Sequence, residues 1–473
     1  MTLDNIIVFT YLLSILVLGI YYRSRHMSFK NYSNVQENIR NSKLMLVATI
    51  FVSSVGGATT FGIAEKAFSG DISYTYGLIL ALPIDILIAI YLVPKIIEHY
   101  GAETIGDIMS KYYGKIGRFI AGITSVIVSI GFVAAQISVS GYIFQYILKI
   151  NYVEGVILSY GIVIIYTTIG GLQSIMFTNL AQFFAMIIAI PIIAICGLNK
   201  IGMSEFIRQL PHEKIYFIYQ HNFAIELFIN TITAMLGFYA MNLYPSFIQR
   251  ALINKDAKET KKAIYIKSII YTIFLVFITL NGLIAYTLYP NESSNLALPY
   301  LIDQIVPSGL QGLVIVGLLA SVMSTADSDL NITSIVLVKD LLNPFFKIKN
   351  QQSLLAIARI TNIIIGSFAI LIALRFNNVI DLVVFITGFW GPIILVPLVF
   401  AFFNITISQR MMVLCGLCGA LSFLVWEYFF AHQLKLKGVF VGTITNLLIF
   451  CIGLITKPTT KTPSRSGRNN HVD

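Results

Sequence analysis

Apolar and polar positions divide the chain into long hydrophobic runs separated by short polar breaks. Runs of about 20 residues or more, enough to cross roughly 30 Å of hydrocarbon, lie near 4–22, 44–70, 72–97, 116–146, 152–170, 172–197, 224–249, 263–289, 308–338, 354–374, 376–403, 407–430 and 437–456. The pattern predicts an all-α polytopic membrane protein with 13 transmembrane helices, the first following Asp4 and retained as a span. Two of the runs are interrupted. The second reads Phe51-Val-Ser-Ser-Val-Gly-Gly-Ala-Thr-Thr-Phe-Gly, and adjacent glycines weaken a helix by about 1 kcal/mol each. A break is expected near Val55 to Gly57, at a depth where free backbone groups must meet protein, water or ligand. The seventh holds Asn242 and Pro245 and leads into the basic segment from Asn254 to Lys262. Interrupted spans five apart are what an inverted five-helix repeat produces, with binding at midplane between them.

Polar residues inside the runs sharpen the picture. Ser321, Ser324, Thr325 and Ser328 fall at i, i+3, i+4 and i+7, a stripe of hydroxyls on one helical face. Hydroxyls and carbonyls suit a small hard cation; equally, such a stripe glues helices or bonds back to its own carbonyls. Asp85 lies deep in the third run, as a coupling group or as a bonded acid tying helices together. Phe238, Tyr239 and Tyr244 in the seventh run, and Phe389 and Trp390 in the eleventh, are core or solute-facing aromatics.

Composition agrees with the spans. The chain has 473 residues, 57% of them hydrophobic and 11% charged, with a mean hydropathy of +0.81, against roughly 25% charged in soluble proteins. Its net charge of +10 is explained without nucleic acid: roughly three quarters of the Lys and Arg fall on alternate loops, which predicts an outside N-terminus, a cytoplasmic C-terminus and anionic lipid as neighbour. The four cysteines lie within apolar runs and are read as helix-packing residues, Cys415 and Cys418 included. His26, His99, His212, His221, His432 and His471 sit at span ends or in loops, so the chain lacks the titratable cluster of a membrane enzyme. No signalling domain is expected after residue 456, which makes a non-transporting sensor the remote alternative.

Three segments resemble the sodium/solute symporter family, whose members carry sugars, proline, pantothenate, choline and sialic acid. Ala320-Ser-Val-Met-Ser-Thr-Ala-Asp-Ser-Asp-Leu-Asn is similar to the family's Ala-Ala-x-Met-Ser-Thr-Ala-Asp-Ser-x-Leu-Asn helix. Pro245-Ser-Phe-Ile-Gln-Arg-Ala-Leu-Ile-Asn-Lys-Asp resembles its Gln-Arg-x-Leu-Ala-Ala-Lys segment, and Ala102-Glu-Thr-Ile-Gly-Asp-Ile-Met-Ser-Lys-Tyr-Tyr-Gly its Thr-x-x-x-Tyr-Leu-x-x-Arg-Phe-Gly loop. The resemblance implies a LeuT-type core in a single domain over 1–456: an extra helix 4–22, a first repeat 44–197, a second repeat 224–403, extra helices 407–456 and a cytoplasmic tail 457–473.

It also implies a multi-pass cell-membrane symporter that co-transports sodium with a small solute, for which a monomer suffices. Sodium would be held by the hydroxyls of Ser324 and Thr325 and the carbonyls of Ser321, Val52 and Val55. The solute would meet Ser54, Gly56, Gly57, Thr59, Phe238, Tyr239, Asn242 and Trp390, with coupling roles open to Asp85, Asn179 and Asp327. Family members with a second sodium position often read Thr-Asp where this chain has Thr178-Asn179, so one sodium per cycle is expected. Tyr74, Thr75 and Thr59 stand where sugar carriers of the family place an acid and a long polar residue, which disfavours a sugar. The Gly56-Gly57-Ala58 break is expected to offer N–H groups and a positive half-helix end to a carboxylate. The expected solute is therefore an amino acid such as proline, a betaine-like or another carboxylated molecule; proton coupling through Asp85 and a sugar substrate are the alternatives.

Overall fold

A computed structural model describes residues 2–23, 27–36, 39, 42–70, 72–80, 82–210, 223–234, 243–375, 386, 388–430 and 436–456. Their regular structure is all helical, with no strand among them. The helices used below are α1 (Leu3–Tyr21), α2 (Lys43–Val52), α3 (Ile63–Ser69), α4 (Ile72–Leu80), α5 (Leu82–Leu87), α6 (Val93–Ile97), α7 (Ile105–Tyr142), α8 (Tyr152–Ile201), α9 (Phe223–Ala234), α10 (Pro245–Ala251), α11 (Ala257–Leu288), α12 (Leu310–Val336), α13 (Gln351–Ala373), α14 (Val396–Phe402), α15 (Gln409–Phe429) and α16 (Gly438–Ile455).

Nine helical stretches among the described residues are long and apolar enough to cross a membrane. The longest, α8, has 50 residues, about 75 Å if straight, which is more than twice the hydrocarbon thickness. It turns at Gly171, whose φ of 67° and ψ of −166° are open only to glycine, and a Cβ there would lie 2.8 Å from the Tyr32 carbonyl oxygen. One helix thus supplies the two expected runs 152–170 and 172–197. Among the described residues, the expected second and eleventh runs appear as shorter pieces, α2 with α3 and Gly388–Phe402.

Two groups of helices pack around the broken spans. Helix α12, the most buried of the long helices, lies between α7, α8 and α13, while α11 runs along both halves of the α2–α3 span. Helix α1 docks on α8 and α12 and caps the latter. The Asp4 carboxylate accepts from the N–H groups of Gly309 (2.7 Å) and Gly312 (2.6 Å) and from Ser308 Oγ (2.8 Å), placing negative charge at a helix N-terminus that favours it. At the other end of α12, Lys339 contacts Glu103 (2.6 Å) and Asp107 (2.7 Å), and Arg118 bridges Asp107 and Asp340 at 3.0 Å each. The 102–114 motif thereby becomes a charged clasp between the start of α7 and the end of α12.

Two cations expected on the cytoplasmic loop lie inside the protein instead. Arg250 is 0% exposed, donating from Nη1 to Gln249 Oε1 (2.7 Å) and the Ser246 carbonyl (3.3 Å). Lys267 is 2% exposed, on the third turn of α11. Both adjoin the basic segment, so a charge tally over 250–267 counts them with the cytoplasmic loop although Lys267 already lies in the apolar run 263–289. Removing two charges from the cytoplasmic tally leaves the bias in the same direction.

Candidate functional site

The second span breaks where the sequence places its glycines. Bonding in α2 tightens from the i−4 pattern (Ser53 N to Thr49 O, 3.2 Å) to i−3 (Ser54 N to Phe51 O, 2.9 Å; Val55 N to Val52 O, 3.3 Å), then restarts with a π-helical turn over Ala58–Gly62. The N–H groups of Thr59 and Thr60 both donate to Gly56 O at 3.0 Å, so the Val55 carbonyl loses its usual i+4 donor. Close approach of α7 explains the glycines. A Cβ on Gly56 would stand 2.8 Å from Gln136 Oε1, and one on Gly57 2.5 Å from Val139 Cγ2.

Opposite this break, α12 presents its hydroxyls. Thr325 Oγ1 lies 3.3 Å from Val52 O, 3.0 Å from Val55 O and 3.3 Å from Ser321 O, and Ser324 Oγ lies 3.2 Å from Ser321 O. All five residues are buried, Thr325 the least at 9% exposure. Three carbonyl oxygens and two hydroxyls therefore line this spot; Val52 O also takes the Val55 N–H, but Val55 O has lost its usual donor and must share the single Thr325 hydroxyl proton with the other two carbonyls, so lone pairs outnumber donors. Such a surplus of lone pairs over donors is costly when buried and is met by a cation that prefers oxygen. All three serines of the stripe bond back along their own helix, Ser321 Oγ to Leu318 O (2.8 Å), Ser324 Oγ to Ser321 O (3.2 Å) and Ser328 Oγ to Ser324 O (2.9 Å), and Thr325 is the member whose hydroxyl reaches across to the broken span.

The other candidate residues are placed as follows. Ser54 is half-buried, with its hydroxyl donating to Ile50 O (3.0 Å). Thr59 is buried, its hydroxyl 3.5 Å from Ser54 O. The Gly57 N–H, expected to be free for a carboxylate, instead donates to Gln136 Oε1 at 2.6 Å. Gly56 and Gly57 are thus turned toward α7, and the partly open face of the break belongs to Ser53, Ser54, Ala58 and Phe61. Trp390 is 2% exposed, edge-on to Tyr244 at 5.3 Å, and its Nε1 has no hydrogen-bond partner. Phe238, Tyr239 and Asn242 lie outside the described residues.

The three candidate coupling groups are engaged elsewhere. Asp85 Oδ2 accepts from Lys267 Nζ (2.8 Å) and Ser268 Oγ (2.9 Å), a buried ion pair between α5 and α11. These contacts tie α5 to α11. Asn179 Nδ2 donates to Thr49 Oγ1 (3.0 Å), leaving Oδ1 without a partner. Asp327, two residues beyond Thr325 and so about 200° around the helix, accepts from Tyr166 OH (2.6 Å) and Ser328 Oγ (3.1 Å); it faces α8 rather than the oxygen cluster.

Gln136 and Lys267 carry no site role in the sequence pattern. Gln136 is visible there as a polar residue among small ones, open to packing or cavity-lining roles. Lys267 is hidden by its basic neighbours.

Comparison with known proteins bears on the family and the fold. The family model described as "Sodium:solute symporter family" matches residues 41–418. The chain is 20% identical over 477 residues to the sodium/sialic acid symporter NanT of Aliivibrio fischeri, covering 97% of this chain and 93% of that protein. It is 25% identical over 382 residues to the osmoregulated proline transporter OpuE of Bacillus subtilis, covering 77% and 76%. Among solved structures, a substrate-bound, outward-open Na+-coupled sialic acid symporter superposes with a TM-score of 0.82 at 19% identity, over 96% of this chain and 98% of that one. MhsT in complex with L-phenylalanine superposes at 0.57 and 15% identity, over 87% and 98%.

Proposed function

The chain belongs to the sodium:solute symporter family, with the LeuT-type fold of sodium-coupled transporters, and on that premise we propose that it imports a small carboxylate-bearing solute, an amino acid such as proline or a betaine-like molecule, with one sodium ion per cycle. In this reading the ion sits among Val52 O, Val55 O, Ser321 O, Ser324 Oγ and Thr325 Oγ1. The observation that carries it is the Thr325 hydroxyl facing three buried carbonyl oxygens, one of which, Val55 O, has lost its helical donor. Neutral ligands hold a monovalent ion without trapping it, where a cage of carboxylates would favour divalent ions and slow release.

Sodium there would join the broken span to α12. Closing that gap would complete the solute site on the neighbouring face, to which we assign Ser53, Ser54, Thr59 and the Trp390 indole; Phe238, Tyr239 and Asn242 remain candidates from the sequence alone. The partnerless N–H of Trp390 supplies a donor for a carboxylate oxygen, and the rings of Trp390 and Tyr244 supply an apolar or cation-accepting wall. A carboxylated solute is further supported by relatives named for sialic acid and proline, both of which bear that group. Helices 44–197 and 224–403 would act as the two inverted repeats, flanked by 4–22 and 407–456, with the N-terminus outside and the 457–473 tail in the cytoplasm. The driving force suffices: one charge across 100 mV gives about 2.3 kcal/mol and a tenfold sodium gradient about 1.4, together a concentrating power of roughly 500-fold for a neutral solute.

The test is a ligand screen on the purified protein in sodium and in potassium. L-Proline, glycine betaine, N-acetylneuraminate and glucose are compared by melting shift, and each binder is then followed by labelled uptake into proteoliposomes. A shift with a carboxylated solute that requires sodium is expected. A shift with glucose alone, or binding as strong in potassium, would reject the reading.

A further inference from the structure

Buried deep between α5 and α11 is a pair of full charges that neither the oxygen cluster nor the solute face uses. Asp85 is 0% and Lys267 2% exposed, and their 2.8 Å contact is reinforced by Ser268 at 2.9 Å. The Lys267 ammonium also stands 5.0 Å from the centroid of the Tyr271 ring. Burying two ions costs several kcal/mol each, and well-packed apolar residues often stabilise a helix pair as well or better. An ion pair retained at this depth therefore calls for a role beyond packing.

Its position supplies one. Seven residues of helix, about 10 Å, separate Lys267 from Phe274, whose ring meets that of Phe51 edge-on at 5.5 Å. Phe51 is the residue before Val52, one of the carbonyls facing Thr325. The whole path is buried, so water screens little of the field along it. Helix, ring contact and backbone together make a path of about 20 Å, and a unit charge at that separation from a cation, at an effective dielectric constant near 20, changes its affinity roughly fourfold.

Resting on the sodium reading, we propose that the Asp85–Lys267 pair is a positioning element that sets sodium affinity. Its opposed charges nearly cancel at the ion, and its hydrogen bonds fix α11, and through Phe274 the end of α2, in the register that aims the Val52 carbonyl. The lysine lies on the helix that packs against α2, so it forms the nearer pole and weakens sodium binding slightly. A modest affinity lets the ion leave after each cycle.

The experiment uses the full chain and sodium itself as probe, titrated against choline and read as the sodium midpoint of the melting shift. D85N leaves the lysine uncompensated and is expected to raise that midpoint roughly fourfold, while K267Q lowers it by a similar factor. The double variant D85N/K267Q falls between them, within about 1.5-fold of wild type. An orphaned buried ion sheds its charge when the pH permits, so D85N is read at about pH 6 and K267Q at about pH 9, each beside wild type at the same pH. Opposite shifts that cancel in the double variant support the proposal. Shifts in the same direction, the mark of a purely structural pair, overturn it, as do unchanged midpoints. Where a single variant fails to fold, D85K/K267D keeps an ion pair with its sense reversed: a midpoint below wild type supports the proposal and an unchanged one overturns it. T325V, measured alongside, separates the two readings, because a T325V midpoint equal to wild type points to failure of the oxygen cluster itself.

Discussion

Replacing Thr325 by Val removes one hydroxyl from the cluster and changes little else, because the two side chains have nearly the same shape. That hydroxyl lies within 3.0–3.3 Å of three carbonyl oxygens, so with sodium present it supplies one of five ligands. A hydrogen bond or dipole contact to a full charge in a buried setting contributes about 1.5–3 kcal/mol, which converts to roughly a ten- to hundredfold rise in the sodium needed for half-saturation. Thr325→Ser is the matched control. It keeps the oxygen and loses only a methyl group, at a cost of about 1 kcal/mol in packing. The assay is the sodium-dependent melting shift of purified protein, which requires no knowledge of the solute. T325V is expected to need at least ten times more sodium, while T325S stays within a few-fold of wild type. A T325V midpoint within twofold of wild type would refute the reasoning, since the most centrally placed oxygen would then have no part in holding the ion.

Three further outcomes follow from individual contacts. Gln136→Leu deprives the Gly57 N–H of its 2.6 Å acceptor, and a melting curve should show a loss of about 1–3 kcal/mol, the cost of a buried unpaired donor. Gly171→Ala forces a side chain into a φ of 67° with the Tyr32 carbonyl 2.8 Å away; a loss of more than about 1 kcal/mol of stability is expected in the same measurement. Asn179→Asp places a carboxylate beside Thr49, and the sodium dependence of uptake should steepen from a Hill coefficient of one toward two.

The sequence carried much of this because bilayer physics is strict. Runs of apolar residues mark crossings, and a Gly-Gly pair at membrane depth marks a break, because it weakens the helix where freed backbone groups find no bulk water. The hydroxyl stripe was legible as a stripe, whereas its partners came from the resemblance: nothing in the spacing of Ser324 and Thr325 says that Val52 and Val55, some 270 residues earlier, will face them. Pairings between distant helices were the least legible. Asp85 and Lys267 are 182 positions apart, and the lysine adjoins a basic segment that hydropathy assigns to a loop. Gln136 could fill the backbone position expected for a ligand only because glycines bring α7 within hydrogen-bonding distance, a matter of packing that one-dimensional pattern does not record.

Direct sodium binding is the measurement closest to the central claim. With radioactive sodium and purified protein, the account predicts saturable binding of one ion per chain, resisted poorly by potassium and abolished in the S324A/T325V double variant. Undiminished binding by that variant, with its fold intact, would contradict it.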